Sequence, residues 1–255
     1  MRVAVVGGTG QVGRHVVSAL EAAGHDPVVV TRSRGVDVLS GDGLGAALVG
    51  AQAVVDASNI ATGRRGRAVR FFTQVTERLL VAEERAGVGH HVALSIVGID
   101  DIDWGYYDGK RQQERLVTAG PVPWSVLRAT QFHEFPDQVL ASARLGPLAI
   151  APMMRMQPVA ASEVGAVLAD LAVGPPAGRA PDLGGPEAHT LADLARRLFT
   201  ARGQRVRVVP VRLPGAAGRA MATGGLLPGP GARLGKQTFD EWLAADLQKQ
   251  QGGST

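Results

Sequence analysis

The stretch Met1-Arg-Val-Ala-Val-Val-Gly-Gly-Thr-Gly-Gln-Val-Gly13 opens the chain and decides its fold. The apolar run over residues 2–7 predicts a buried strand, and the apolar spacing over residues 11–23 predicts a helix that ends at Gly24. Glycines between a strand and a helix let the backbone turn tightly and approach a pyrophosphate, and the helix start offers free amides to phosphates. This stretch therefore predicts a dinucleotide-binding turn. The residues expected to contact the cofactor are Gly7, Thr9, Gly10, Gln11, Val12 and Gly13.

The rest of the first half alternates short apolar runs with helical patterns, which is typical of a parallel sheet wrapped by helices. Further strands are predicted over residues 27–31, 36–39, 53–57, 91–95 and 124–127, and helices over 44–49, 67–86, 106–118 and 131–144. After about Gly146 prolines interrupt the pattern, so we expect a nucleotide-binding domain over 1–145 and a smaller substrate lobe over 146–255. Within that lobe helices are predicted over 161–171, 191–201 and 239–248, and a strand over 205–211. The glycine-rich segment 215–235 is either a mobile lid or a surface loop.

The end of the second predicted strand bears on the choice of cofactor. Its sequence is Thr31-Arg32-Ser33-Arg34, where a site that prefers NAD would place an acidic residue to hold the ribose 2′-hydroxyl. A guanidinium suits a 2′-phosphate instead. We therefore expect NADP(H) to be preferred over NAD(H), with Arg32 as the primary contact and Arg34 as the secondary one.

Tyr106 and Lys110 are four residues apart on a predicted helix and so share one of its faces. The chain has only two tyrosines and three lysines, and random placement would produce this spacing only about 0.02 times. An ammonium at that distance favours the phenolate, so the pKa of the tyrosine is expected to fall from its usual value of about 10. Tyr107 also lies within one turn of Lys110. Ser95, at the carboxyl end of the preceding strand, could donate a hydrogen bond to a substrate carbonyl.

Together with the opening stretch, several short motifs resemble the atypical short-chain dehydrogenase/reductase superfamily, near its NmrA-like members. They are Thr31-Arg-Ser33, Gly41-Asp42, Leu94-Ser-Ile-Val-Gly98, Tyr106-Tyr-x-x-Lys110 followed by Glu114, and Val126-Leu-Arg128 before Phe132. The resemblance covers about residues 1–170. It implies an α/β Rossmann fold, a doubly wound parallel sheet with a smaller C-terminal substrate lobe.

The same resemblance assigns roles to individual residues. It places Asp42 near the adenine and the Ser58-Asn59 turn along the cofactor cleft. It makes Ser95, Tyr106 and Lys110 the catalytic set, and it also gives Lys110 a contact with the nicotinamide ribose.

Substrate residues are expected where the sixth predicted strand ends, because open α/β sheets bind ligands beyond the carboxyl ends of their strands. Gln131, Phe132 and His133 follow that strand and are the candidates, although a lone histidine such as His133 is more often a packed or surface residue than an acid or base.

The function that follows is an NADPH-dependent reduction of a small-molecule carbonyl, quinone or enone. Two alternatives stay open. One is a non-catalytic NADP(H)-binding sensor, and the other is an epimerase or dehydratase that keeps its cofactor.

Composition narrows the class of protein further. The 255 residues are 45% hydrophobic and include no cysteine, which excludes disulfides and thiolate chemistry. None of the six histidines forms a HExxH pair, so we predict no metal. The 27 basic and 23 acidic residues are scattered, which argues against nucleic acid. No apolar run approaches 18 residues and no signal segment precedes Gly7, so we expect a cytoplasmic monomer or homodimer without a membrane partner.

Overall fold

The computed structural model describes residues 1–252, with side chains for 1–141, 143–144 and 146–250. The strands are β1 (Arg2–Val6), β2 (Asp26–Val30), β3 (Ala53–Asp56), β4 (His90–Ile96), β5 (Trp124–Ala129), β6 (Arg144–Leu145), β7 (Leu148–Pro152), β8 (Arg155–Met156), β9 (Gly178–Arg179), β10 (Leu183–Gly184), β11 (His189–Thr190), β12 (Arg207–Val211) and β13 (Arg233–Leu234). The α-helices are α1 (Gly13–Ala22), α2 (Leu44–Ala47), α3 (Arg65–Ala86), α4 (Gly105–Ala119), α5 (Phe135–Ser142), α6 (Ala161–Val173), α7 (Leu191–Ala201), α8 (Gly215–Thr223) and α9 (Phe239–Gly252). A 3₁₀ turn spans Arg32–Arg34.

Two compact units are built from these elements. The first contains Met1–Ala129 and Ala161–Pro181, and the second contains Thr130–Ala160 and the described part of the chain from Asp182 onwards. The boundary predicted after residue 145 concerns which part binds cofactor and which binds substrate, and it stays a prediction.

The first unit is organised around a parallel sheet with the strand order β9-β5-β4-β3-β1-β2. The chain starts at β1 and places β2 on one side and β3 on the other, so the strand order reverses there. Val6 lies beside both Val30 and Asp56, so these three strands end at the same edge. Ligands of open α/β sheets bind outside the carboxyl ends of the strands at such a reversal. The sheet confirms the doubly wound fold expected from the sequence.

Glycines allow the helices of this unit to pack closely. On α4, a Cβ atom added to Gly109 would lie 2.6 Å from Cδ2 of Phe72 and 2.9 Å from the backbone of Ala68, both on α3. On α6, a Cβ atom at Gly165 would lie 2.5 Å from Cβ of His15 on α1. Any larger residue would separate these helices, so the glycine at position 109 fixes how close α4 lies to α3.

The strand predicted over residues 36–39 is wrong. Asp37 forms only an isolated bridge with Asp42, and the segment is a series of turns between Gly35 and Gly43, which both have positive φ. The alternating valines that suggested a strand have another role, because Val36 is buried in the hydrophobic core of this unit.

The second unit contains small sheets packed with helices. Strands β6, β7 and β12 form one sheet, and the strand predicted over residues 205–211 is confirmed by β12. Strands β8 and β11 pair antiparallel, and β10 pairs with β13. The segment 215–235 contains α8 and β13, so it is not simply a surface loop, and a role as a lid stays a prediction. Within residues 1–252, no helix has the length and apolar character needed to cross a membrane.

Candidate functional site

The glycine turn after β1 has the geometry that a phosphate site requires. Gly7 has φ +71°, and the Gly10 amide donates to its carbonyl at 2.8 Å. A Cβ atom at Gly13 would lie 2.1 Å from that same carbonyl oxygen, so only glycine fits there. Helix α1 begins at Gly13, and the preceding residue, Val12, makes no side-chain cap. Because Thr9 and Gly10 are exposed, the uncapped helix start is open to an anion and fits a pyrophosphate.

The turn that follows β2 lies next to the glycine turn. The hydroxyl oxygens of Thr9 and Thr31 are 3.4 Å apart, and the Gly7 amide donates to the carbonyl of Val30 at 3.1 Å. Arg32 and Arg34 are exposed on the 3₁₀ turn that begins one residue later. Two exposed guanidinium groups are therefore attached to the strand end that the glycine turn contacts.

Asp42 lies in the loop that replaces the predicted third strand. Its carboxylate accepts a hydrogen bond from the Ser40 hydroxyl at 2.7 Å, and its carbonyl accepts one from the Asp37 amide at 3.0 Å. The Arg78 side chain donates to the carbonyl of Ser40. Asp42 is thus exposed but fixed within a turn.

The segment after β3 lies against the glycine turn. A Cβ atom at Gly7 would lie 2.9 Å from the carbonyl oxygen of Ala57, which shows how closely the two backbones approach. The Ser58 amide donates to the Asp56 carboxylate at 2.9 Å. The Ser58 hydroxyl oxygen is buried and has no hydrogen-bond partner in the described part of the chain. A buried hydroxyl without a partner is the kind of group that a bound cofactor would satisfy.

Tyr106 is joined to this segment. Its hydroxyl donates to Oδ1 of Asn59 at 2.6 Å, and its ring packs edge-on against Phe72 with 5.7 Å between centroids. Burial, with a smaller effect of Tyr107, raises the pKa of Tyr106 above its usual range. The expected lowering by Lys110 is therefore wrong for this structure. The hydroxyl is therefore protonated at neutral pH, so it is available as a proton donor and not as a base.

Lys110 lies one turn further along α4 and is buried. Its ammonium donates to the carbonyl of Leu94 at 2.5 Å and to Oε1 of Gln113, and it lies 4.6 Å from the centre of the Phe72 ring. Burial lowers the pKa of Lys110 to about 8, and the carboxylates of Asp56 and Glu114 act against that effect. The Lys110 side chain is therefore mostly protonated at pH 7.

Ser95 is buried beneath α4. In the register of β4 and β5 it lies beside Arg128, whose guanidinium makes two bonds with Glu114 at 2.8 and 2.7 Å. Burial alone would raise the pKa of Glu114, but Arg128 and then the Ser95 hydroxyl outweigh it and lower that pKa. The Ser95 hydroxyl has no well-formed hydrogen bond among the described residues. Ser95 thus lies with the Glu114 network.

The three candidate substrate residues lie in the second unit and differ in character. Gln131 is buried, and both polar atoms of its amide lack a partner among the described residues. Phe132 is half-buried and bridges to Val159.

His133 differs from both because it is a packed core residue. Its Nε2 lies 3.1 Å from the carbonyl of Gln237, and its ring packs on Phe239 and Trp242. Burial lowers its pKa to about 4, so the ring is neutral at neutral pH.

Sequence reasoning missed Asp56 and Gln113. Both are almost fully buried, and the Gln113 amide bridges Lys110 to Asp56. Two signals were present: a carboxylate that ends an otherwise apolar strand, and a glutamine three residues after the lysine. No group of three or more metal-binding side chains lies together among the residues that the structure describes.

Comparisons with known proteins bear on this geometry. Residues 7–172 match a family of NAD(P)H-binding proteins, whereas no curated protein matches the chain. One similar solved structure is MoeE5 in complex with UDP-glucose and NAD, with 18% identity, a TM-score of 0.76 and all of both chains covered. Another is the NADPH-dependent quinone oxidoreductase QOR2 from Escherichia coli complexed with NADPH, at 19% identity and TM-score 0.73, covering 96% of this chain and 99% of that one. The triphenylmethane reductase of Citrobacter sp. complexed with NADP(H) has 17% identity and TM-score 0.71, with the same coverage. At these identities the likeness shows the fold.

Proposed function

The chain belongs to the family of NAD(P)H-binding proteins, and from that premise we propose that it is an NADPH-dependent reductase of a small-molecule carbonyl, quinone or enone. The observation that carries the proposal is the Tyr106 hydroxyl. It keeps its proton, is bonded to Asn59 at 2.6 Å, and belongs to the same unit as the glycine turn. Two of the similar structures are a quinone oxidoreductase and a triphenylmethane reductase, which supports this reaction class.

The cofactor contacts in this proposal follow the geometry of the first unit. The glycine turn would hold the pyrophosphate, and Ser58 and Asn59 would line the cleft with Asp42 nearer the adenine. Arg32, assisted by Arg34, would hold a 2′-phosphate, since both guanidinium groups are exposed beside the turn.

When bound, the nicotinamide supplies the hydride. Tyr106 would donate its hydroxyl proton to the acceptor oxygen, so a carbonyl would leave as the alcohol, a quinone as the hydroquinone and an enone as the enol. For this step the hydroxyl exchanges its bond with Asn59 for one with the substrate. In this proposal Lys110, one turn further along α4, would contact the ribose and would stabilise the phenolate only once the cofactor is bound. Ser95 would polarise the acceptor, and Ser95→Ala tests that role against its place in the Glu114 network.

Substrate recognition is proposed for the second unit. The Gln131 amide offers a donor and an acceptor that no other described residue uses, so it would form hydrogen bonds with the acceptor molecule. Phe132 would add an apolar contact. His133, a neutral packed side chain, would shape this region without transferring a proton.

The test is NADPH oxidation by the purified protein across quinones, aldehydes and cyclic ketones. Tyr106→Phe should lower kcat by about 10²–10⁴-fold, the usual contribution of a positioned acid. Tyr107→Phe is the matched control, because it removes the neighbouring hydroxyl and should leave kcat within about tenfold. Equal turnover by Tyr106→Phe and the unaltered protein would refute the assignment.

Two other outcomes would favour the alternatives. NADPH binding without turnover on any acceptor points to a sensor. Nucleotide bound stoichiometrically to the purified protein, without net consumption, points to an epimerase or dehydratase.

Cofactor preference has its own test. Arg32→Ala should lower kcat/KM for NADPH about 10–100-fold relative to NADH, because a charged hydrogen bond contributes about 1.5–3 kcal/mol. Arg34→Ala should have a smaller effect. Arg85→Ala removes an exposed guanidinium at the far end of α3 and should leave the ratio unchanged. A preference for NADH in the unaltered protein would contradict the role of Arg32.

A further inference from the structure

We propose that Asp56 and Gln113 are positioning residues of the tyrosine site, which tie Lys110 to the segment that holds Tyr106. Their catalytic meaning rests on the proposed function, whereas the contacts themselves do not depend on it. Neither residue would touch substrate.

The first half of the connection runs through a buried amide. The Lys110 ammonium donates to Oε1 of Gln113, and Nε2 of Gln113 donates to Oδ2 of Asp56 at 2.8 Å. The three residues are 4%, 1% and 0% exposed. An ammonium can only donate and an ionised carboxylate can only accept, so the orientation of the Gln113 amide is fixed by its neighbours.

The second half returns to the tyrosine. The other carboxylate oxygen of Asp56 accepts from the Ser58 amide at 2.9 Å, and the next residue, Asn59, accepts from the Tyr106 hydroxyl at 2.6 Å. Tyr106 and Lys110 lie one turn apart on α4, so the contacts close a ring. A substitution at Gln113 should therefore affect both the Lys110 ammonium and Asn59, which accepts the hydrogen bond from the Tyr106 hydroxyl.

Charged, polar and aromatic groups on four elements face the Lys110 ammonium. Asp56 lies at the end of β3, Glu114 follows on α4, the Phe72 ring lies on α3, and the Leu94 carbonyl belongs to β4. Burial lowers the pKa of Lys110, and the charges of Asp56 and Glu114 offset part of that effect.

The two carboxylates differ in what else they contact. Glu114 is bonded to Arg128 at 2.7 Å, which neutralises its charge locally. The charge of Asp56 helps to raise the pKa of His91, whose Nδ1 lies 2.8 Å from Oε1 of Glu83. Asp56 reaches the ammonium through the neutral Gln113 side chain.

The experiment titrates Lys110 directly by NMR, with ¹³C at lysine Cε. The chain contains only two other lysines, Lys236 and Lys249, so three signals are expected. Gln113→Leu should lower the midpoint of Lys110 by about one pH unit, since it removes an acceptor of the charged form. Gln113→Glu should raise it, because a carboxylate then faces the ammonium. Gln112→Leu is the matched control on the same helix, where the side chain bonds Arg115 instead.

A second readout follows the tyrosine. With ¹³C at Cζ the two tyrosines give two signals, which Tyr107→Phe assigns. Asp56→Asn should shift the Tyr106 signal and lower the Lys110 midpoint, while the Tyr107 signal stays in place. If Asp56 only packed the core, Asp56→Asn would not change the Tyr106 signal and the Lys110 midpoint together.

Three results would overturn the proposal. One is a Lys110 midpoint that is the same in Gln113→Leu and in the unaltered protein. Another is a shift of the same sign in both Gln113 variants. The third is a Tyr106 signal that ignores Asp56→Asn.

The same measurements separate this proposal from the reductase itself. The expected shifts without turnover on any acceptor would support the ring and refute the reductase. The opposite result is also possible: turnover collapses in Tyr106→Phe, but substitutions at Gln113 leave the Lys110 midpoint unchanged. That result would support the reductase and refute the ring.

Discussion

Replacing Gly109 by alanine tests how the packing of α4 on α3 positions the site. The new Cβ atom would lie 2.6 Å from the Phe72 ring and 2.9 Å from the backbone of Ala68, whereas ordinary contacts begin near 3.4 Å. Alanine favours a helix interior over glycine by about 1 kcal/mol. Overpacking a tight contact costs about 1–3 kcal/mol. Because backbone atoms are among the contacts, we expect the cost to dominate, with a net loss of about 1–2 kcal/mol.

The assay is thermal unfolding together with NADPH turnover. A loss of that size should lower Tm by roughly 2–8 °C for a protein of this size. Gly109 lies between Tyr106 and Lys110 on α4, so kcat should fall as well. The matched control is Gly66→Ala in the first turn of α3, where an added Cβ atom meets nothing within 4 Å and should stabilise the protein by about 0.5–1 kcal/mol. If Gly109→Ala stabilises the protein as Gly66→Ala does, the packing argument is refuted.

Two further predictions concern stability. Burial alone would lower the pKa of His91, but Glu83, 2.8 Å away and fully buried, outweighs it and raises that pKa. The pair therefore stabilises the fold fully below about pH 6.5, and this contribution is lost as the pH rises through the folded-state pKa. Urea unfolding from pH 6 to 9 should show that loss as a fall in the free energy of unfolding. Glu83→Gln should remove this pH dependence and lower the free energy of unfolding by about 3 kcal/mol at pH 6. The same pH dependence in Glu83→Gln as in the unaltered protein would contradict the pairing. Thr190 caps α7, because its hydroxyl accepts a hydrogen bond from the Asp193 amide. Thr190→Ala should therefore lower the free energy of unfolding by about 1 kcal/mol, while Thr200→Ala, at an exposed position in the last turn, should change it little. Equal effects of the two substitutions would count against the cap.

Much of the first unit could be predicted from the sequence, because its signals are local. The glycine turn is predicted by residue type alone, since Gly7 needs positive φ and Gly13 admits no side chain. The strands follow from short apolar runs, and the shared helix face of Tyr106 and Lys110 follows from the helical period. The segment 36–39 shows the limit, because a valine that packs into a core from a loop has the same local pattern as one in a strand.

The electrostatics of the site depended on neighbours distant in sequence. Spacing placed Lys110 near Tyr106, yet the ammonium bonds Leu94 and Gln113, and burial raises the pKa of the tyrosine. Asn59 reaches the tyrosine from 47 positions away.

The sequence by itself thus determined the turn, the parallel sheet and the residues available for chemistry, since these depend on backbone freedom and on periodicity. Only the tertiary structure decided which of those residues meet, which are buried, and therefore which hold their protons. Desolvation and hydrogen bonding act through space, and the contacts that set them here, from Asp56 to Gln113 and from Asn59 to Tyr106, join strand ends to a helix some fifty residues later.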